Sequence, residues 1–157
     1  MTRSRYSITI DASSWAQLIN LAEIAAPFET GGILLGYRLG RTIAVVGVAE
    51  VLDPAASTAA YTLRTIEAQT VLDDARRHFP PESPVGYVGD WHTHPGRALP
   101  SHVDRRSVAT LGSHYRKPMV GLVAVRNRSG WTPHGQLAVR SRARSCPVEV
   151  LRESERT

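Results

Sequence analysis

"GDWHTHPGRALPSHVD", Gly89 to Asp104, carries two histidines two positions apart, a proline directly after them, and an aspartate ten residues beyond the second histidine. In a strand, residues i and i+2 project from the same face, so His92 and His94 would stand side by side. Pro95 holds His94 in an extended conformation. Two imidazoles so placed can reach one metal ion, and Asp104 is the nearest plausible carboxylate to join them. The same letters admit a plainer reading, because Ser101-x-x-Asp104 has the form of a helix capping box that needs no chemistry. His-x-His recurs by chance, so spacing alone leaves both readings open. A simple strand-to-helix turn, however, would not require two histidines on one face.

Working outward, the flanks supply regular elements. "SPVGYVGDWHTH" reads as a strand leading into the motif, and "SHVDRRSVATLGSHY" after Pro100 as a helix. Upstream, "YSITID" alternates as a short strand. Asp11 or Ser13 can cap a helix over about Ser14–Ala26, which Pro27 ends. "GGILLGYRL" and "TIAVVGVAEVL" form a hairpin about residues 40–41. "DPAASTAAY" is a connection, and "LRTIEAQTVLDDARRHF" has helical spacing until Pro80–Pro81. Downstream come the strands "PMVGLVAVRN" and "GWTPHGQLAVRS", with "CPVEVL" a candidate last strand. Strands and helices mix without strict alternation, which predicts an α+β domain with helices packed on a mixed sheet. No linker interrupts the chain, so residues 1–157 are read as a single domain.

Composition narrows the chemistry. The 42% hydrophobic and 21% charged fractions are those of an ordinary soluble globular chain, and the longest apolar runs are far too short to span a bilayer. No apolar stretch of signal-peptide length follows Arg3 and Arg5, so a cytoplasmic location is expected. The single cysteine, Cys146, excludes an intramolecular disulfide and a cysteine-rich zinc site. It also excludes a zinc nucleoside deaminase, which needs a Pro-Cys-x-x-Cys. Cys146 has no clear base beside it and reads as an inert thiol. Any metal must be held by His and carboxylate. The net charge of +5 is almost all arginine, gathered at Arg3 and Arg5 and at Arg140, Arg142 and Arg144. No aromatics are interleaved with the C-terminal arginines, so a stacking platform for nucleic acid is not supported. A solvated face or a patch for an acidic protein is the preferred reading. His78, His102, His114 and His134 read as surface residues, and Trp91 as packing.

With "HTHP" at 92–95 and "SHVD" at 101–104, the chain resembles the JAMM, or MPN-plus, metalloproteases of the JAB domain family, in their bacterial standalone form. That signature also has an upstream Glu, matched by Glu29 in "PFETGGILLG" between the first helix and the following strand. The likeness extends from the first helix to the strand around Val120–Val125. Six residues separate His94 from Ser101, where the usual pattern has seven. A loop absorbs one residue without moving its ends far.

The resemblance implies a single mixed-sheet JAB/MPN-like domain, similar to the cytidine-deaminase fold. It implies one catalytic Zn²⁺ held by His92, His94 and Asp104; three protein ligands leave the fourth tetrahedral position open. Glu29 is implied as general base and acid, taking a proton from the attacking water and passing one to the leaving amine. Ser101 is implied as the donor to the developing oxyanion. Gly31 and Gly32 would let backbone approach the site. The implied activity is that of a zinc isopeptidase or peptidase, deubiquitinase-like. It would cleave the amide bond after the C-terminus of a ubiquitin-like protein, or of a protein attached by a bacterial ubiquitin-like system, with anti-phage defence as one setting. The extended tail would lie beside a sheet edge, and the "DPAASTAAYTLRT" segment falls where the family often inserts substrate contacts. Processing of a sulfur-carrier protein, and a non-catalytic scaffold or DNA-associated protein, are the alternatives. The sequence sets neither the substrate protein nor the oligomeric state.

Overall fold

The computed structural model describes Arg5–Glu153, which leaves Arg3 outside the described residues. In chain order the elements are β1 (Ser7–Asp11), α1 (Ala12–Ala25), β2 (Gly31–Leu39), β3 (Thr42–Glu50), α2 (Thr65–Arg76), β4 (Gly86–His94), α3 (His102–Tyr115), β5 (Met119–Asn127), β6 (Gly130–Val139), β7 (Arg142–Cys146) and β8 (Val148–Leu151). All eight strands join one sheet in the order β7-β6-β5-β4-β2-β3-β1-β8. β1 runs parallel to β3 and to β8, and β4 parallel to β5, while the remaining pairs are antiparallel. The α+β expectation of a mixed sheet with packed helices holds.

Local chemistry explains the boundaries. Asp11 caps α1 by accepting the Ser14 N–H at 2.8 Å. Ser101 caps α3 through a reciprocal capping box with Asp104. β2 is buried on both faces over its first six residues, as suits a strand in the middle of a covered sheet.

The sequence reading missed β7. Its letters, "RARSC", carry exposed arginines that read as surface charge, yet the strand pairs with β6 along Arg142–Cys146 and buries only its last residue. An edge strand with charged side chains is how natural sheets resist further pairing. Only Pro147 separates β7 from β8, although the two lie at opposite ends of the strand order. The sheet therefore curls until its ends meet, and the Val148 side chain packs against Gly135 of β6. α2 is also shorter at both ends than its apolar pattern suggested.

The two faces bury different cores. Ile8, Leu18, Val45, Trp91, Leu122 and Leu137 are among the residues that form the larger one, with α1. Trp91 is packing, as expected, and its indole N–H donates to the Ala49 carbonyl at 3.2 Å. Cys146 lies in the same core, where burial pushes its thiol pKa up; this agrees with the inert reading. Ile33, Leu35 and Val51 pack with α2 on the opposite face. α3 lies on that second face too, over β5 and β6, and comes very close. A Cβ on Gly121 would fall 2.1 Å from Val108 of α3, and one on Gly112 of α3 would fall 2.4 Å from the Arg140 carbonyl oxygen. Both positions need the missing side chain for helix and sheet to touch.

Gly112→Ala tests this packing, because helix propensity and contact predict opposite signs. Propensity alone favours alanine by about 1 kcal/mol. The collision with backbone makes us expect a net loss of about 1–3 kcal/mol, read from the urea midpoint.

Candidate active site

β4 is hydrogen-bonded on both sides, to β2 and to β5, so its pleat fixes where each side chain points. Trp91 goes to the α1 core. Asp90, His92 and His94 go to the face shared by α2 and α3, in register with Gly121, Val123 and Val125 of β5. The His92 and His94 Nε2 atoms lie 3.1 Å apart. Asp104, in the first turn of α3, brings Oδ1 to 3.1 Å from His92 Nε2 and Oδ2 to 3.7 Å from His94 Nε2. Two atoms bound at about 2.0–2.1 Å to one tetrahedral ion are separated by about 3.3 Å, so the three side chains already hold ligand-like spacing. The donor set, two imidazoles and a carboxylate, is one that zinc and similar divalent metals accept.

Each group is tuned by its surroundings. His94 Nδ1 sits 2.6 Å from the Ala98 carbonyl, which can only accept, so Nδ1 carries the proton and Nε2 offers its lone pair. Burial lowers the His94 pKa, only partly offset by the Ala98 carbonyl, and favours the neutral ring that binds metals. Burial would raise the Asp104 carboxyl, but the hydrogen bond with His92, the Ser101 N–H and the two histidine charges outweigh it and hold Asp104 at about 2. Asp104 is thus ionised whenever it meets a cation.

Glu29 completes the cluster: one carboxylate oxygen lies within 4.8 Å of a nitrogen from each of His92 and His94. Its side chain is buried, and desolvation raises its pKa; His92 opposes this and Asp104 adds to it. A raised carboxylate pKa makes a stronger base. Backbone anchors hold it in place. The Glu29 N–H donates to the Ser57 carbonyl at 2.8 Å, in the connection between β3 and α2. The next residue, Thr30, donates its N–H to Thr93 Oγ1 at 3.0 Å and its hydroxyl to Glu50 at 2.7 Å.

Ser101 stands on the rim, and its Oγ accepts the Asp104 N–H at 3.3 Å. That bond uses a lone pair, so the hydroxyl proton remains free to donate. All five sequence candidates line one cavity of about 720 Å³, with Tyr61 and the segment 58–63 on one bank and α3 on the other. Gly31 needs its missing side chain, since a Cβ there would meet the Trp91 carbonyl and the Tyr61 ring.

Three features escaped the sequence reading. Asp90 shares the histidine face; burial, partly opposed by the Tyr87 hydroxyl and His92, brings its carboxyl to about 6. Its i−2 spacing from His92 was the available signal. Gln136 is buried in line with Asp90 and Gly121, and among the described residues no donor faces its Oε1. His134, expected at the surface, is half-buried and close enough to His94 for their charges to interact. No described helix is long and apolar enough to cross a membrane.

Comparison with known proteins agrees with this geometry. Residues 11–134 match the family described as prokaryotic homologs of the JAB domain. The probable metalloprotease y4qB of Sinorhizobium fredii is 31% identical over 142 residues, covering 83% of this chain and 79% of that protein. The CD-NTase/cGAS isopeptidase of Enterobacter hormaechei is 32% identical over 112 residues, covering 69% of this chain and 60% of that protein. In structure, protein DSY2949 from Desulfitobacterium hafniense superposes with a TM-score of 0.71 at 20% identity over 93% of this chain and 94% of that one, which speaks to the fold. The named relatives support a metal-dependent peptidase or isopeptidase function.

The Thr30–Thr93 anchor is testable apart from chemistry. Thr93→Val keeps the shape but leaves the Thr30 N–H buried without an acceptor, so we expect a loss of about 1–3 kcal/mol in a urea titration. Thr93→Ser should recover most of it.

Proposed function

This chain belongs to the family of prokaryotic JAB-domain homologs, and from that membership we propose that it is a zinc-dependent isopeptidase or peptidase. Its substrate in this reading is the amide bond after the C-terminus of a ubiquitin-like protein, or of a protein conjugated by a bacterial ubiquitin-like system. Removal of such conjugates in anti-phage defence, in the cytoplasm, is the setting we favour; the relative named as a CD-NTase/cGAS isopeptidase supports the isopeptidase activity itself. We treat residues 1–157 as one catalytic domain. The observation that carries the proposal is the convergence of His92, His94 and Asp104 beside a buried carboxylate, Glu29.

His92, His94 and Asp104 would hold the ion. Bound there, zinc supplies a Lewis acid that polarises the scissile carbonyl and makes water nucleophilic near neutral pH. The protein's own groups do the rest. Glu29 accepts the proton that the attacking water loses, and its raised pKa suits it to that task. As the C–N bond breaks, the same carboxyl returns a proton to the leaving nitrogen, so the products are a carboxylate and an amine. The Ser101 hydroxyl donates to the carbonyl oxygen as negative charge gathers there. Loss of one such donor typically costs about 3 kcal/mol at the transition state. The segment 58–63 and the first turns of α3 confine an extended tail between them.

A ubiquitin-like protein with a C-terminal fusion serves as substrate, with zinc content measured in parallel. Glu29→Ala should keep zinc and stop cleavage, while His92→Ala should lose both. Cleavage that survives Glu29→Ala would remove the proposed role of that residue.

A further inference from the structure

Next to the catalytic groove lies a second, smaller cavity of about 300 Å³. Its charged lining is entirely cationic, Arg97, Arg126 and Arg128, with His134 beside them and no Asp or Glu. The Arg126 guanidinium is already placed over the Trp131 ring, 5.8 Å from its centroid. Arg97 and Arg128 are different, since among the described residues neither side chain has an ion-pair or hydrogen-bond partner.

Arg97 follows Gly96 in the loop after His94 and takes a left-handed backbone conformation, φ 68°. That conformation is uncommon for a residue with a Cβ, and Arg116 and Arg140 share it. The Arg97 N–H donates to the His94 carbonyl at 3.3 Å, tying it to the catalytic strand. Arg128 sits in the β5–β6 turn, which Asn127 locks by accepting the Ser129 N–H at 2.9 Å and donating to Thr132.

The cavity adjoins the reaction centre. Leu99, 66% exposed, lines both cavities. His134 lies two strands from His92 in a single row, His92–Val123–His134. At about 4.8 Å per strand the two histidine backbones are about 10 Å apart, the length of about three extended residues. Arg140 follows the end of β6, and Arg142 and Arg144 of β7 pair back beside Val139 and Leu137; none of the three lines this cavity, so it is a separate basic site.

We propose that this cavity is an anion subsite that selects protein substrates carrying an acidic side chain within about three residues of the scissile bond. The proposal rests on the peptidase reading above, and names a specificity that reading lacks. Arg97 and Arg128 would pair with the incoming carboxylate, Leu99 would cover its aliphatic stem, and no acidic side chain of the lining competes for the pair.

Two measurements test it. In the first, zinc-loaded ¹⁵N-labelled protein is titrated with N-acetyl-glutamate N-methylamide, its glutamine analogue, inorganic phosphate and a DNA duplex. The glutamate probe should give saturable shifts at residues 97, 126–128 and 132–134 that Arg128→Glu abolishes, with smaller shifts from the glutamine analogue. Equal response to glutamate and glutamine would overturn the proposal, as would response to phosphate or DNA alone. In the second, internally quenched Gly-Gly peptides carry Glu or Gln at each of three positions on either side of the bond. At one position or more, Glu should raise kcat/KM by about fivefold, the size of an exposed charge pair. Arg128→Glu should remove that preference while zinc content and cleavage of the Gln peptide stay unchanged. A cleaved peptide set with no Glu preference overturns the subsite. If no peptide is cleaved but the glutamate shifts remain, the subsite stands and the peptidase reading fails.

Discussion

Everything at the site depends on the pleat of β4. With hydrogen-bonded neighbours on both sides, the strand cannot rotate, and a one-residue slip would exchange its faces. Trp91 makes such a slip prohibitive, because it would carry a fully buried indole out of the α1 core and bring His92 into it. The packing residue is thus what orients the chemical ones. Thr93, also fully buried, adds a second lock by bonding the chain next to Glu29. Hydrophobic burial on one side of the strand thereby fixes polar geometry on the other.

Asp104 caps α3 and faces the two histidines with the same side chain. Its Oδ2 accepts the Ser101 N–H at 2.7 Å, and its Oδ1 faces His92. The capping box therefore does not compete with the ligand reading; it aims the carboxylate. The capping box is present, and it leaves the ligand reading open, because a carboxylate has two oxygens with separate lone pairs. The close approach of α3 to the sheet at Gly112 and Gly121 then sets how far that carboxylate reaches.

What could be read from the letters followed how local each feature is. The β4 histidine face, the α3 cap and the β2–β3 hairpin rest on interactions within a few residues, and they were legible. β7 was not, since its pairing depends on the β6 edge and its own letters are mostly charged. Nor was the sheet's closure through Pro147, which depends on accumulated twist over eight strands. At the site, the grouping of Glu29 with the histidines was suggested by family likeness; spacing alone carries no signal for two groups 63 residues apart. The Ser57 carbonyl that anchors Glu29 and the half-buried place of His134 are equally long-range, and the sequence is silent on both.

The electrostatics of Glu29 tie these parts together. A base at this position must be reluctant to stay ionised, so that it takes a proton readily, yet must not be protonated before the reaction begins. Burial works in the first direction, and the neighbouring carboxylate of Asp104 adds to it, while His92 works in the second. A divalent cation held by the two histidines and Asp104 would strengthen the second influence and cancel part of the carboxylate repulsion. In the proposed role, Glu29 would therefore be balanced for proton transfer when the cluster is loaded. On the proposed reading, the same fold that gathers the ligands would also couple the strength of the base to their occupancy, through distances of a few ångströms fixed by β4, the Ser57 carbonyl and the cap of α3.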